Sequence, residues 1–415
     1  MNCLNTYTTD YGIDDHDHVE SPPDLFSPKR TCLGLNIMSV LIGHPTGNPN
    51  SYNAALAYFE AGLLEYFCVG WMPARRTIDV LKRFPLSRSA AGRLERRQFA
   101  PLAHAPTYQG RIGEFYRLLR RLAGVDGQQV ADQGNRWLMR AMARECHRPS
   151  VAAIHAYEDC SLWQFKEAKR LGKACIYDLP TCYYPEWKKV HASLQQKYAD
   201  WIRPDEVPAN EIRLQQKRQE MMLADLVLVA SGYVEQTIRE HCPDKDIVRA
   251  PYGVDVGFWT PSPATRPSRP LRFIYAGQVS LRKGIPWLLD AWAKADLHDA
   301  ELTLVGSWSL AKGKVLPRDV RWIPPCSSEA LRDLYWQSDV LVFPSFSDGF
   351  GLVLLEAMAC GLPVIASEKS VGPEIVTPGC GFLTPPGDLE RLVELLRWFN
   401  SHRDKLPAMR REARS

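Results

Sequence analysis

A Gly-rich turn leads into an apolar helix late in the sequence, and this segment carries two acidic residues. The segment reads FPSFSDGFGLVLLEAMACGLPVIAS over residues 343–367. It predicts a strand, a turn with Gly349 and Gly351, and a helix that ends at Gly361 and Pro363. The amino end of such a helix has free amide hydrogens and a positive dipole, so the sequence predicts an anion site that suits a pyrophosphate.

The two acids of this segment are Asp348 and Glu356. Glu356 lies inside the apolar helix, where an unpaired carboxylate is costly to bury, so we expect it to have a polar partner. At a rise of ~1.5 Å per residue, the two carboxylates lie on the order of 12 Å apart and can bracket an extended nucleotide sugar. The alternative interpretation is a buried helix with an incidental acid.

A second segment with the same character lies upstream. The sequence FIYAGQVSLRKG over residues 273–284 ends a strand, turns at Gly277 and opens a helix. Its cations, Arg282 and Lys283, are candidates for binding a diphosphate. An exposed Lys/Arg pair without such a duty is the alternative.

Candidate residues in the first half follow predicted strands. The loop in VLIGHPTGNPN, residues 40–50, lies where ligands bind in open α/β sheets, and Gly47 permits close approach of the backbone. Gly-Asn-Pro-Asn alone is only a turn signal. His155 follows another strand, although a lone His is more often a packing residue. Asp178 and Tyr183 are looser candidates on the acceptor side.

Short β-rich runs alternate with helical patterns throughout the chain, which is typical of parallel sheets covered by helices. The predicted strands are 39–42, 66–70, 152–156, 174–177, 226–230, 273–276, 302–305, 340–343 and 364–366. Helices are expected near 284–295, 328–338 and 351–360. The predicted fold class is α/β, with two Rossmann-like doubly wound domains facing a central cleft.

The predicted domain order has four parts. A disordered tail covers 1–35, an N-terminal Rossmann-like domain covers 36–250, a Pro-rich linker covers 251–270, and a C-terminal Rossmann-like domain covers 271–415. The tail holds six acids and two basic residues without an apolar stretch, so a secretory signal is not expected. No transmembrane anchor is expected either.

These motifs resemble the retaining GT-B glycosyltransferases of family 4 (glycosyl transferases group 1), whose signature is Glu, seven residues, Glu, in a Gly-Phe-Gly context. Asp348 replaces the first Glu. The resemblance covers roughly residues 38–395 and is specific in the second half. It implies that the domain 36–250 lies on the acceptor side and that the domain 271–415 binds the nucleotide sugar. Pro251-Tyr-Gly-Val-Asp255 matches the family's interdomain Asn-Gly-Val-Asp, with Tyr252 for Asn. Members commonly continue into an aromatic helix that crosses back to the first domain, and that piece is expected to be short or missing here.

The resemblance implies roles for particular residues. Asp348 would contact the sugar hydroxyls, Glu356 would bind the ribose hydroxyls, and Lys283 matches the family's Lys-Gly. Gln278 replaces an Arg, and Arg282 would supply the missing charge. The remaining implied contacts with donor or acceptor come from Gly277, Gly349, Phe350, Gly351, Gly47, Asn48 and His155. Ser370–Glu374 resembles a loop near the phosphates.

The resemblance implies transfer of a sugar, of the hexosyltransferase type, from a nucleotide diphosphate sugar to a hydroxyl acceptor, with retention and without a metal. The nucleotide sugar is a co-substrate, and no cofactor is expected. Lys283, Arg282 and helix amides would neutralise the diphosphate. Two Asp-x-Asp matches, at 15–17 and 244–246, follow no hydrophobic strand and are interpreted as solvated turns. Glycan, polysaccharide or glycolipid synthesis is the expected setting.

Two of three alternative functions stay open. A dinucleotide oxidoreductase requires G-x-G-x-x-G after a strand, which the sequence lacks. A non-catalytic nucleotide-sugar or membrane-surface scaffold stays open, because Asp348 and Gln278 depart from the family pattern. A disaccharide synthase of the same fold is the nearest enzymatic alternative.

Charge and cysteine content bound the partners. The net charge of +4 does not by itself indicate nucleic acid. Residues 71–150 hold sixteen Lys and Arg against six Asp and Glu, a net of +10. We call this stretch the basic sector; it indicates either a solvated face or contact with anionic lipid or a phosphorylated acceptor. Eleven cysteines without zinc spacing fit a reducing cytosol, so a cytoplasmic enzyme, peripheral at the inner membrane face, is expected.

Overall fold

The computed structural model describes most of the chain from Met38 onward. The described residues are 38–73, 75–83, 95, 97–110, 113, 120, 127–203, 211–263 and 270–415. The expected tail over 1–35 and its Asp-x-Asp match therefore lie outside the described residues, as does part of the expected linker. Met38–Ser415 form one unit.

The first half builds a sheet of short, mostly buried strands. Its strands are β1 Ser39–His44, β2 Leu64–Val69, β3 Thr107–Gln109, β4 Val151–Tyr157, β5 Ala174–Leu179, β6 Leu226–Val229 and β7 Ile247–Arg249. All pair in parallel, in the order β3-β2-β1-β4-β5-β6-β7. Continuous apolar runs such as the Leu-Val-Leu-Val of β6 are typical of strands covered on both faces.

Helices connect these parallel strands, since a parallel crossover needs a long connection. The described helices of this half are α1 Pro49–Glu60, α2 Arg75–Lys82, α3 Gly127–Glu145, α4 Leu162–Arg170, α5 Tyr184–Lys197, α6 Glu211–Leu223 and α7 Gly232–Arg239. Short 3-10 helices cover Ala100–Leu102 and Ala199–Trp201. The predicted strand 66–70 corresponds to β2, which follows α1.

The second half repeats the architecture. Its strands are β8 Leu271–Ala276, β9 Ala300–Val305, β10 Val320–Ile323, β11 Val340–Phe343, β12 Val364–Ser367 and β13 Gly381–Thr384. They are parallel, in the order β10-β9-β8-β11-β12-β13. The helices are α8 Ile285–Ala295, α9 Ser328–Trp336, α10 Leu352–Ala359, α11 Gly372–Ile375, α12 Leu389–Ser401 and α13 Leu406–Arg414, with a 3-10 turn at Arg403–Lys405. The predicted fold of two doubly wound domains is confirmed.

The strand order reverses once in each sheet, between β1 and β4 and between β8 and β11. Loops leaving neighbouring strands diverge at such a point and open a crevice that binds ligands. The loops after β1, β8 and β11 carry most of the sequence-predicted site residues. The fold therefore places them where binding is expected.

Four strands were missed by sequence analysis: β3, β7, β10 and β13. Three of them, β3, β7 and β10, have exposed or half-buried residues in their short runs, so their pattern is not that of a buried strand. β13 begins with a glycine, which weakens the strand signal. All four lie at or near sheet edges.

The last helix, α13, contacts the segment that connects the two sheets. Arg414 of α13 donates to the carbonyl oxygens of Trp259 and Ala359, both at 2.9 Å, and to that of Val256 at 3.0 Å. Among the described residues, no helix has both the length and the apolar character of a membrane span.

Candidate active site

A buried ion pair joins the two loops at the switch point of the second sheet. Nζ of Lys283, after β8, contacts Oδ2 of Asp348, after β11. Their side chains are 14% and 12% exposed, respectively. The sequence separates them by 65 positions, and the neighbouring positions of β8 and β11 bring them together. The sequence predicted both residues but not this contact.

Gly284 makes this approach possible. Its φ is +73°, and a Cβ there would lie 2.1 Å from the carbonyl oxygen of Pro344. Any side chain would therefore push the β8 loop away from the β11 loop. The amide of Phe346 donates to the carbonyl of Arg282 at 2.9 Å and ties the loops together.

The second cation, Arg282, lies against the same loop. Its Nη1 donates to the carbonyl oxygen of Ser347 at 2.6 Å. Burial lowers the pKa of Arg282, but a guanidinium keeps its charge in water near neutrality. Burial and, to a smaller extent, the charge of Arg282 lower the pKa of Lys283 well below its ordinary value. An anion beside Lys283, such as the carboxylate of Asp348, stabilises the ammonium form of this lysine.

Glu356 lies in the second turn of the helix that follows, α10. The hydroxyl of Tyr335 donates to its Oε2 at 3.4 Å. The expected polar partner of Glu356 is confirmed. Burial raises the pKa of Glu356 to about 7, because this single long hydrogen bond only partly offsets the lost hydration. Further donors, such as ligand hydroxyls, would stabilise its carboxylate.

The start of that helix lies near Lys283. Gly351 has φ +93°, and a Cβ there would lie 3.0 Å from the ring of Phe343. Nζ of Lys283 lies 5.4 Å from the centre of the same ring. The helix start and the cation therefore both lie beside the ring of Phe343, which brings a positive charge close to the amino end of the helix, where anions bind.

Gly277 adopts a conformation that favours glycine, with φ +140°. A Cβ on neighbouring Gly306 would lie 1.8 Å from the carbonyl oxygen of Gly277, so the ends of β8 and β9 pack backbone to backbone. Nε2 of Gln278, the residue that departs from the family pattern, donates to Oγ of Ser309 at 2.8 Å.

The first half of the chain holds the loop that carries Asp348. A Cβ on Gly349 would lie 1.8 Å from the carbonyl oxygen of Pro180. Oγ of Ser231 donates to the carbonyl of Gly349 at 2.6 Å, and the hydroxyl of Tyr233 donates to Oγ of Ser347 at 2.9 Å. Ser231 and Tyr233 were missed, because nothing in their local sequence marks a contact 114 to 118 positions away.

Two further contacts join the halves. The ring of Phe350 lies 5.1 Å from that of Tyr252. The amide of Gly232, at the start of α7, donates to Oε1 of Glu374 at 2.7 Å. Glu374 was expected near the phosphates, but its carboxylate caps a helix of the first half; its position at the start of α11 was read correctly.

The first-half loop is folded on itself. Gly47 has φ +69°, and a Cβ there would meet the ring of Tyr52 at 2.3 to 2.5 Å. Asn48 caps α1, since its Oδ1 accepts from the amide of Ser51 at 2.8 Å. Its Nδ2 lies 3.2 Å from Nε2 of His44. Turn formation therefore accounts for both residues.

His155 lies within β4, as the predicted strand 152–156 has it, rather than after the strand, and it is 1% exposed. Its Nδ1 lies 3.1 Å from the hydroxyl of Tyr58, and its Nε2 lies 3.4 Å from Oδ2 of Asp178, which lies within β5 rather than in the loop after it. This buried imidazole has the environment of a packing residue, and contact with a sugar is not supported. Tyr183 is also buried, at 4% exposure.

His44 is the histidine that reaches the loop, and sequence analysis missed it. It ends β1, half-buried, with its ring 5.2 Å from that of Tyr157 in edge contact. Burial lowers the pKa of His44 to about 4, so the ring is neutral at physiological pH. Its position just before Pro45-Thr46-Gly47 was the available signal.

The described arginines of the basic sector differ in their surroundings. Arg75 and Arg76 on α2 are exposed. Others pack locally: Arg140 lies over Trp163 and Arg148 bonds to Glu145 at 2.7 Å. Arg96 and Arg121 lie outside the described residues. The Asp244–Asp246 turn precedes β7 with both acids exposed, as predicted.

The second half of the chain matches a known protein family in sequence, and both halves match solved structures in fold. Residues 261–415 match the family model described as glycosyl transferases group 1. A D-inositol 3-phosphate glycosyltransferase of Paenarthrobacter aurescens is 34% identical over 168 residues, which is 35% of this chain and 41% of that protein. An O-antigen chain mannosyltransferase B of Escherichia coli is 32% identical over 130 residues, 29% of this chain and 34% of that protein. The matched segments thus span less than half the length of these relatives.

Solved structures match over nearly the whole chain. Sucrose-phosphate synthase from Thermosynechococcus elongatus has a TM-score of 0.60 at 18% identity, covering 91% of this chain and 93% of its own. Anabaena HepE in complex with UDP has a TM-score of 0.57 at 17% identity, covering 91% and 94%. These likenesses establish the fold of both halves as that of GT-B glycosyltransferases. Within that class, the chain resembles the glycosyl transferases of group 1, whose family model its second half matches.

Proposed function

We propose that this chain is a glycosyltransferase that moves a sugar from a nucleotide diphosphate sugar to a hydroxyl acceptor, without a metal and with retention of the anomeric configuration. The observation that carries the proposal is the buried contact of Lys283 with Asp348 beside the amino end of α10. Matched segments of relatives named as glycosyltransferases support the same class. Assignment to family 4 belongs to this proposal.

The Asp348 carboxylate contacts Lys283 at the position that we propose for the diphosphate. An arriving diphosphate would take over the ammonium group of Lys283 and release Asp348 toward the sugar hydroxyls. Arg282 and the first amides of α10 would add positive charge. Ribose hydroxyls would then supply the donors that Glu356 lacks. The proposed contacts would thus replace the Lys283–Asp348 ion pair and add to the long hydrogen bond between Tyr335 and Glu356.

The chemistry proposed for this site is electrostatic. Charge develops on the leaving diphosphate, and Lys283 and Arg282 stabilise it in a water-poor pocket. The acceptor hydroxyl attacks from the face that the diphosphate leaves, and a leaving phosphate oxygen takes the acceptor proton. The new bond therefore keeps the configuration of the old one, and no protein nucleophile is required.

Donor and setting are supported at a coarser level. Anabaena HepE was solved with UDP and with UDP-glucose, which makes UDP a sensible first probe here. We propose glycan, polysaccharide or glycolipid synthesis at the cytoplasmic face of a membrane. Arg75 and Arg76 of the basic sector would meet the anionic lipids.

The test is release of nucleoside diphosphate from a panel of UDP-, GDP-, ADP- and TDP-sugars with lipid-linked and soluble acceptors. Turnover should survive EDTA, and NMR of the first product should show the donor's anomeric configuration. Binding of nucleotide sugar without any product across the panel would favour the non-catalytic scaffold instead.

A further inference from the structure

A segment of the first half is built into the hydrophobic core of the second half. Leu194 and Tyr198 of this segment are 2% and 6% exposed, and they belong to the cluster of buried side chains around β8, β9 and α8. The hydroxyl of Tyr198 also donates to Oδ2 of Asp290 in α8 at 3.4 Å. Three partly buried residues pack against the same cluster: Val190, Trp201 and Ile202. We call residues 190–202 the strap.

Polar contacts fix the end of the strap to the loop after β9. The carbonyl oxygen of Trp201 accepts from the amide of Ala311 at 2.9 Å. Nζ of Lys314 lies 2.6 Å from Oδ2 of Asp200 and 4.6 Å from the centre of the Trp201 ring. Apolar burial holds the strap against the second half, and these directional contacts also set its orientation.

The start of α5 packs in the other direction. Tyr183 and Tyr184 pack in the hydrophobic core of the first half. Nζ of Lys188 lies 2.7 Å from Oε1 of Glu211 in α6, but these side chains are 53% and 68% exposed. An exposed ion pair contributes little to stability. The chain therefore passes from one core to the other between Tyr184 and the strap.

The segment 256–260, which connects the two sheets, is also held by the second half. Nε1 of Trp336 donates to the carbonyl oxygen of Thr260 at 2.5 Å. Nη1 of Arg332 donates to the carbonyl oxygen of Phe258 at 3.2 Å. Two segments that lie between the sheets in sequence or in space are thus fixed on the same side.

We propose that the strap belongs to the cooperative unit of the second half, so that it opens with that half and moves with it when the two halves move relative to each other. Hinge movements are absorbed at the ends of elements, here on the first-half side of the strap. The cavity of about 310 Å³ that His191 lines with Gln278 then lies within one moving body and keeps its shape as the halves separate. This inference does not depend on the reaction proposed above.

The experiment is hydrogen exchange of the full chain, because exchange rates report the free energy of local opening. Leu194→Ala should speed exchange in β8 and α8 by about tenfold or more and leave β4 and β5 within about twofold. Leu138→Ala, at a buried core position of the first half, should speed exchange in β4 and β5 and leave the strap unchanged. Strap exchange that follows Leu138→Ala, or β4 exchange that follows Leu194→Ala, would overturn the proposal.

A matched pair of surface variants keeps the test available if Leu194→Ala does not fold. Lys314→Gln breaks the contact of the strap with the second half and should speed strap exchange by about threefold. Lys188→Gln breaks the contact of α5 with α6 and should leave strap exchange unchanged. The reverse order would contradict the assignment.

Distance distributions between spin labels test the movement itself. The labels are attached to non-natural residues in place of Lys166 on α4, Lys197 on α5 and Lys312 after β9, all exposed. The distribution for 197 and 312 should be narrower than that for 166 and 197. A distribution for 197 and 312 that is equally broad or broader would place α5 in the body of the first half and overturn the proposal.

Discussion

The two halves have the same fold but differ in how polar side chains are used at their switch points. In the second half, Lys283, Asp348 and Glu356 are partly satisfied and would gain from a ligand. In the first half, Asn48 and His155 are already engaged by helix capping and by neighbouring side chains. We therefore expect an anion to act on the polar groups of the second half, and not on Asn48 or His155.

This difference indicates that the proposed donor site lies in the second half. A diphosphate needs charges and amides in a fixed arrangement, and the second half supplies them from two adjacent loops. Ser231 and Tyr233 of the first half donate hydrogen bonds to the loop after β11, which carries Asp348. The first half therefore also holds this loop in place.

The largest effect is expected at Lys283. Lys283→Ala removes the main charge facing the leaving diphosphate, and kcat/KM should fall by about 10²–10³-fold. Diphosphate release measures this, with the far-UV spectrum and unfolding midpoint as checks on the fold. Lys294→Ala, which removes an exposed lysine paired with Glu390, is the matched control and should keep full activity. Full activity in Lys283→Ala would remove the proposed donor site.

A pH-dependent effect is expected at Glu356. Because burial raises the pKa of Glu356 to about 7, binding of ribose hydroxyls to its carboxylate below that pH must also expel a proton. UDP affinity should therefore fall as the pH drops from 8 to 6, by up to about tenfold per unit below 7. Titration calorimetry of Glu356→Gln should give weaker binding with no such dependence. A wild-type affinity that is flat with pH would contradict the assignment.

The same raised pKa has a consequence for stability. Its contribution is fully present below the ordinary value of 4.5 and is lost as the pH rises through about 7. Wild type should therefore lose unfolding free energy relative to Glu356→Gln over that window, as denaturant melts at pH 4.5 and 8 would measure. Equal losses in both proteins would show that Glu356 titrates normally.

Sequence reasoning located the second-half site because its residues lie in two short segments, each following a strong apolar strand. It could not find Tyr335, which reaches Glu356 from a different helix, or the pairing of Lys283 with Asp348. In the first half, sequence reasoning left His155 open between sugar contact and packing, because burial within the sheet cannot be read from the local sequence.

A smaller loss is expected at the contact between halves. Tyr233→Phe removes the hydrogen bond to Ser347 while keeping the ring, so kcat should fall by roughly tenfold with little change in UDP affinity. Steady-state kinetics with a fixed acceptor measures the split. An unchanged kcat would show that the first half does not position the Asp348 loop.

The smallest catalytic effect is expected at His155. His155→Gln should cost about 1–3 kcal/mol of stability by disturbing buried polar groups, yet leave kcat/KM of the folded enzyme within a factor of two. Urea melts and kinetics below the melting range separate these effects. A collapse in activity with an intact fold would return His155 to the donor site.

The most direct test is a crystal structure of the chain with whichever of UDP, GDP, ADP or TDP raises its melting temperature most. The account predicts the diphosphate on Lys283 and the first amides of α10, Asp348 released from Lys283, and the ribose hydroxyls on Glu356. A nucleotide bound elsewhere, with Lys283 still on Asp348, would contradict it.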